Sequence, residues 1–175
     1  AVNKPDGAQT RPSGMRGSGT HPESDLLGTE QVSNERYFGI HTVRALRNFP
    51  ITHKSIGEYP EFVNALAVLK EAAAAVNARL GLISPDAGDA IQAAGERIRS
   101  GEFHAEFAVG TIQGGAGTSS NMNANEVVAN VALEELGAEK GRYDLIDPHN
   151  DVNCCQSTND VYPSAIKIAL LSMLE

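Results

Sequence analysis

The chain has no tryptophan, and aromatic residues fill only 5% of its 175 positions. Its two cysteines, Cys154 and Cys155, are neighbours. Adjacent residues seldom reach disulfide geometry, so neither a disulfide scaffold nor a cysteine-based zinc site is expected. Free thiols fit a reducing cytoplasm. None of His21, His41, His53, His104 and His149 stands in an HExxH pair, so no metal is expected. Basic residues are scarce, with 14 Lys+Arg against 22 Asp+Glu and a net charge of −8. That balance excludes general affinity for nucleic acid or an anionic membrane. No apolar run approaches the roughly 20 residues that span a bilayer. A charged segment followed by an apolar core, the mark of a secretory signal, is missing as well. There is no internal repeat.

What remains is an ordinary globular mixture, 41% hydrophobic and 21% charged. Residues 1–22 are rich in Gly, Pro, Ser and Thr and bury too little surface to offset their chain entropy, so they read as a mobile tail. Order is expected from near Glu23, first as a short hairpin or extended segment over Asp25–Val32. A short helix suits the stretch that ends in Val43, Leu46 and Arg47. Pro60 to Leu80 is a longer helix, with proline in its first turn and Gly81 after its end. Phe62, Leu66, Leu69, Ala73, Val76 and Leu80 form its apolar stripe. Pro85 to Ser100 is the next helix, capped by Ser84, with Ala87, Ile91, Ala94 and Ile98 inward. Ser119 to Leu136 follows, ended by Gly137. A last helix starts near Asn159–Asp160. Its apolar residues, Ile166, Ile168, Leu170, Leu171, Met173 and Leu174, fall on more than one face, as in a helix surrounded by others. It carries no stop signal, so the chain is expected to be the N-terminal piece of a longer protein.

Two loops carry chemistry. In Gln113–Gly114–Gly115–Ala116–Gly117–Thr118–Ser119–Ser120–Asn121, a glycine turn exposes backbone N–H groups, hydroxyls follow, and a helix begins. Such a concave, donor-rich helix start holds a carboxylate without a full counter-charge. The Gly-Lys-Ser/Thr ending of a Walker A loop is missing, and no strand–helix–strand unit makes it a dinucleotide fingerprint. Taken alone, its spacing fits an ordinary capped helix start better. The second loop is Gln156–Ser157–Thr158–Asn159–Asp160. It offers two hydroxyl donors and an amide able to accept from an ammonium, with Asp160 as a possible simple cap. Alone, it too fits a capped helix start better. His149 is expected to be a turn residue. Asp89, Glu96, Glu134 and Glu135 are expected on solvated helix faces.

Together and in order, these segments resemble the aspartase/fumarase superfamily over about residues 24–175. Gly114 to Asn125, followed by Glu126–Val127, is similar to that family's first signature region, and Asp147 to Asp160 to its second. Asp25–Leu26–Leu27–Gly28, Tyr37 to Thr42 and Arg44 to Phe49 fit as well. Class II fumarases read Gln-Thr-Gly-Ser-Gly-Thr, Gln-Ser-Ser-Asn-Asp and Trp-Gly-Ala-Gln-Thr. This chain has Gln113 to Thr118, Gln156 to Asp160 and Phe38–Gly39–Ile40–His41–Thr42 instead. All three contrasts point to the aspartate ammonia-lyase branch. Pro148–His149–Asn150–Asp151 departs from the family's usual Pro-Asn-Asp, so no secondary carboxylate site is assigned there.

The resemblance implies a mainly α fold: an N-terminal domain over residues 23–155 and the start of a central helical bundle over 156–175. It implies reversible conversion of L-aspartate to fumarate and ammonia through an aci-carboxylate carbanion, in a cytoplasmic homotetramer, with no cofactor and no metal. Neither nucleic acid nor membrane is an expected partner. By resemblance, Thr118, Ser157 and Thr158 bind the carboxylate next to the abstracted proton, and Asn159 holds the amino group. The family's base is a serine on a mobile loop ending Met-Pro-x-Lys-x-Asn. No such stretch occurs in these 175 residues, so no catalytic residue is assigned within them.

Overall fold

A computed structural model describes residues 19–113 and 115–174. The tail reading for residues 1–18 lies outside the described residues. Thr20, His21 and Pro22, assigned to the tail by composition, instead open β1 (Thr20–Asp25). This strand pairs antiparallel with β2 (Gly28–Ser33), Asp25 facing Gly28 across the exposed Leu26 and Leu27. The Asp25 carboxylate accepts from Leu27 N–H at 2.8 Å and closes the turn.

Five α-helices follow: α1 (Ile40–Asn48), α2 (Pro60–Arg79), α3 (Pro85–Arg99), α4 (Thr118–Glu135) and α5 (Thr158–Ser172). Helix α2 packs against α3 and α5, α3 packs against α4, and α1 lies across α4. The architecture is mainly α, as expected. Among the described residues, no helix is long and apolar enough to cross a membrane.

The four inward residues of α3 are all buried: Ala87, Ile91, Ala94 and Ile98. Ser84 caps the helix by accepting from Ala87 N–H at 3.1 Å. Helix α2 corrects its stripe. Its buried face is Val63, Leu66, Ala67, Lys70, Ala74 and Asn77, while Val76 and Leu80 are exposed. Polar side chains occupy inward positions that an apolar pattern assigns elsewhere. Helix α4 is buried nearly all round from Ser120 to Leu133. Its buried amides tie down neighbouring loops: Asn123 donates to Glu106 C=O at 2.9 Å, and Asn130 donates to Tyr37 C=O at 2.8 Å.

Helix α5 departs from the enclosed helix expected. Val161, Ala165 and Ala169 are buried, while Ile166, Leu170, Leu171, Met173 and Leu174 are exposed. Only one face of α5 meets the rest of the described chain.

Candidate active site

The two chemistry-bearing loops are the starts of α4 and α5, and the fold sets these starts side by side. Gly115 and Gly117 both take positive φ, at 76° and 85°. A Cβ at Gly117 would run into the ring of Tyr162, so only glycine allows the first loop to lie against α5. Gly117 is the N-cap of α4 and offers no side chain; Gln113 takes over that duty. Its Oε1 accepts from Ser120 N–H at 3.0 Å, and its Nε2 donates to Ser120 Oγ at 2.7 Å. Thr118 is therefore released from capping. It is exposed, and among the described residues its hydroxyl is bound to no other side chain.

At the second loop the cap is Ser157, which corrects the reading of Asp160 as capping acid. Ser157 Oγ accepts from Asn159 N–H at 3.2 Å, leaving the hydroxyl proton free to donate. Thr158 Oγ1 accepts from Asn121 Nδ2 at 3.1 Å, which ties the first turn of α5 to the first turn of α4. Asn159 is exposed and faces a groove of about 450 Å³ lined by Gly115, Ala116, Gly117, Tyr162 and Pro163. Pro163 lies inside α5 and has no N–H, so the Asn159 carbonyl lacks the helical partner four residues on. The groove thus presents hydroxyl and amide groups beside the first turn of α5.

The sequence-predicted residues surround one junction without sharing one cavity. Thr118 lines an adjoining groove with His41, Arg44, Asn48 and Ser119. Arg44 is not free there: it holds Asp25 at 2.8 Å and Glu30 at 3.2 Å, clamping the hairpin to α1.

Lys70 is what joins the loops, and pattern reading missed it. Its ammonium is fully buried and donates to Asn121 Oδ1 at 2.8 Å, Gln156 Oε1 at 2.9 Å and Asn153 Oδ1 at 3.0 Å. One side chain from α2 thereby fixes α4, the turn at Asn153 and the entry to α5. Burial pushes its pKa down to about 7, while three oxygens at hydrogen-bond distance favour the charged form. Asn77, two turns further along α2, donates to Cys154 C=O at 2.9 Å. The available signal was polar: Lys70 and Asn77 are seven residues apart, the spacing of one helix face.

Glu126 is the second ionisable group missed. Its carboxylate, 1% exposed, accepts from the backbone N–H groups of Gly39, His41 and Thr42 and from the Thr42 hydroxyl at 2.6 Å. It caps α1, whose own N-cap residue is Gly39. Burial raises its pKa to about 7 against the pull of those donors. His149, expected in a turn, lies exposed in a short π-helix (Pro148–Val152), and its N–H is held by the N-cap Asp147 Oδ1 at 2.8 Å. Asp89, Glu96, Glu134 and Glu135 are exposed, with Glu135 paired to Arg97 at 2.7 Å.

The sequence model of a lyase family matches residues 28–175. Over 149 residues the chain is 52% identical to an aspartate ammonia-lyase of Pseudomonas aeruginosa, covering 85% of this chain and 31% of that protein. It is 47% identical to the aspartate ammonia-lyase of Escherichia coli, covering 87% and 32%. A crystal structure of fumarate lyase:delta crystallin from Brucella melitensis superposes with a TM-score of 0.86 at 48% identity, over 87% of this chain and 36% of that one. A class II fumarase from Schistosoma mansoni superposes at 0.79 with 36% identity, over 86% and 32%. The chain spans about a third of the length of the curated relatives it matches. With matches of this extent on both sequence and fold, the chain belongs to the lyase family, in the aspartase/fumarase superfamily.

Proposed function

We propose that the intact protein is an aspartate ammonia-lyase that interconverts L-aspartate with fumarate and ammonia. The observation that carries this reading is the junction of two helix starts bearing Thr118, Ser157, Thr158 and Asn159, in a chain 52% identical to an aspartate ammonia-lyase. The chemical difficulty is the carbon acid. Removing a proton beside a carboxylate places two negative charges on one group, and aligned donors must meet that charge as it develops. The Ser157 hydroxyl keeps its proton to donate, and so does Thr158, whose oxygen already accepts from Asn121. Thr118 stands at the N-terminal end of α4, where the helix dipole adds to the field. These three bind the carboxylate next to the abstracted proton. Asn159 receives the amino group with its side-chain oxygen.

The base is a serine contributed from outside these 175 residues, and further subunits of a cytoplasmic homotetramer complete the site. Residues 23–155 then form the N-terminal domain, and residues from 156 open the central bundle, whose other helices cover the exposed face of α5. The reaction as proposed calls for no cofactor or metal. The 175-residue chain alone is expected to release no ammonia from L-aspartate.

A second reading, class II fumarase, is favoured by the superposition on the Schistosoma mansoni enzyme. One assay separates the two: growth of fumarate absorbance with the intact protein on L-aspartate and on L-malate. Growth on aspartate with matching ammonia supports the lyase. Growth on malate alone overturns it.

A further inference from the structure

The adjacent thiols have no role in the chemistry above, yet their geometry is specific. Cys155 takes φ 55°, and among the described residues Phe103 is the other non-glycine with positive φ. The left-handed region disfavours a residue with a Cβ, and residues held there cluster at ligand clamps. The turn brings Cys155 Sγ to 3.9 Å from Cys154 Sγ. It is well anchored: Asn77 and Gln156 both donate to the Cys154 carbonyl, at 2.9 and 3.3 Å. Cys155 is exposed and Cys154 half-buried.

A disulfide fits poorly. Consecutive Cα atoms stand about 3.8 Å apart, below the roughly 4.4–6.8 Å usual for a bridged pair. A single soft atom between the sulfurs fits better. With bonds of about 2.3 Å, as in zinc thiolates, two sulfurs on one centre lie within about 4.6 Å of each other. Among the described residues no cluster of three or more His, Cys, Asp or Glu exists that would complete an all-protein metal cage. The site therefore suits a centre that needs two thiolates and no more.

We propose that Cys154 and Cys155 form a dithiol site for a monosubstituted trivalent arsenical, which has two exchangeable positions. Each thiol gives its proton to one hydroxyl on arsenic, two waters leave, two As–S bonds form, and no oxidation state changes. Burial and the neighbouring Cys155 raise the pKa of Cys154, so that thiol carries a proton for one departing water.

The test uses the full-length protein and phenylarsine oxide, read by intact mass and peptide mapping. One adduct should map to the peptide holding residues 154 and 155. It should survive excess monothiol and come off with dithiothreitol. Cys154→Ser and Cys155→Ser, checked for native circular dichroism, should each lose that adduct. No adduct on this peptide, or one retained in either variant, overturns the proposal. Mapping of the unsubstituted protein keeps the test valid if a serine variant fails to fold.

Discussion

Lys70 and Glu126 are both buried without an opposite charge beside them, yet they are held by different parts of the chain. Lys70 is met by three side-chain oxygens, one from the first turn of α4 and two from the segment that leads into α5, at the candidate site. Glu126 is met by the backbone of α1 and one hydroxyl, on the far side of α4. The donors on Glu126 belong to a helix end whose dipole already favours a carboxylate, so its work is to dock α1. The acceptors on Lys70 are amides that also reach Thr158 and the turn before Ser157, so its work is to hold the two helix starts in register. Similar burial therefore serves packing in one region and site geometry in the other.

The largest expected effects test the site end. In the intact enzyme, Thr118→Ala and Thr158→Ala should each lower turnover by about 10²–10³, the loss typical of one donor aimed at developing charge. The loss should exceed what any accompanying shift in melting temperature explains, a shift expected in Thr158→Ala because its hydroxyl also accepts from Asn121. Near-normal turnover in Thr118→Ala would remove it from the site. Asn159→Ala should impair use of aspartate and ammonia more than binding of a plain dicarboxylate inhibitor, read by comparing KM with inhibitor affinity.

Next comes Lys70→Met, which leaves three buried amide oxygens without their common donor. Asn153 Oδ1 keeps Asn121 Nδ2 as a donor at 3.0 Å, so two oxygens go unmet; at about 1–3 kcal/mol each, a loss of about 2–6 kcal/mol in urea unfolding is expected. Glu126→Gln keeps size and sheds the charge, with a smaller change in stability and little change in turnover at equal folded fraction.

The two groups also give opposite pH slopes. The folded Glu126 holds its proton up to about 7 against an ordinary 4.5, so the folded state binds more protons across that window and stability falls as pH rises through it. The penalty reaches on the order of 3 kcal/mol. The folded Lys70 gives up its proton near 7 rather than 10.5, so the unfolded state binds more protons above neutrality and stability rises with pH there. Melting curves from pH 4 to 10 should lose the acid-side slope in Glu126→Gln and the alkaline-side slope in Lys70→Met. The smallest effect belongs to the apolar side: Ile91→Val in α3 should cost about 0.5–1.5 kcal/mol with turnover unchanged.

Much of this was legible in the chain. The stripe on α3 is apolar at every inward position, so periodicity places it correctly. Glycines and prolines marked the ends of α2, α3 and α4 within a residue or two. The inner face of α2 was misread because Lys70 and Asn77 sit where a hydrophobic pattern expects none, and the reason for them lies 51 to 86 residues downstream. The cap of α1 was hidden for the same reason, being supplied by Glu126 in α4. Gln113, the cap of α4, sits outside the helix it serves. At the site, the two loops stood out by composition, while their connection through Lys70 needed the fold.

Turnover of L-aspartate by Lys70→Met and Glu126→Gln, measured side by side in the intact protein at 25 °C and normalised to folded fraction, tests the central distinction most directly. A turnover loss of at least tenfold in Lys70→Met, with Glu126→Gln within about twofold of the parent, is the predicted result. Equal losses in the two variants, or normal turnover in folded Lys70→Met, would contradict it.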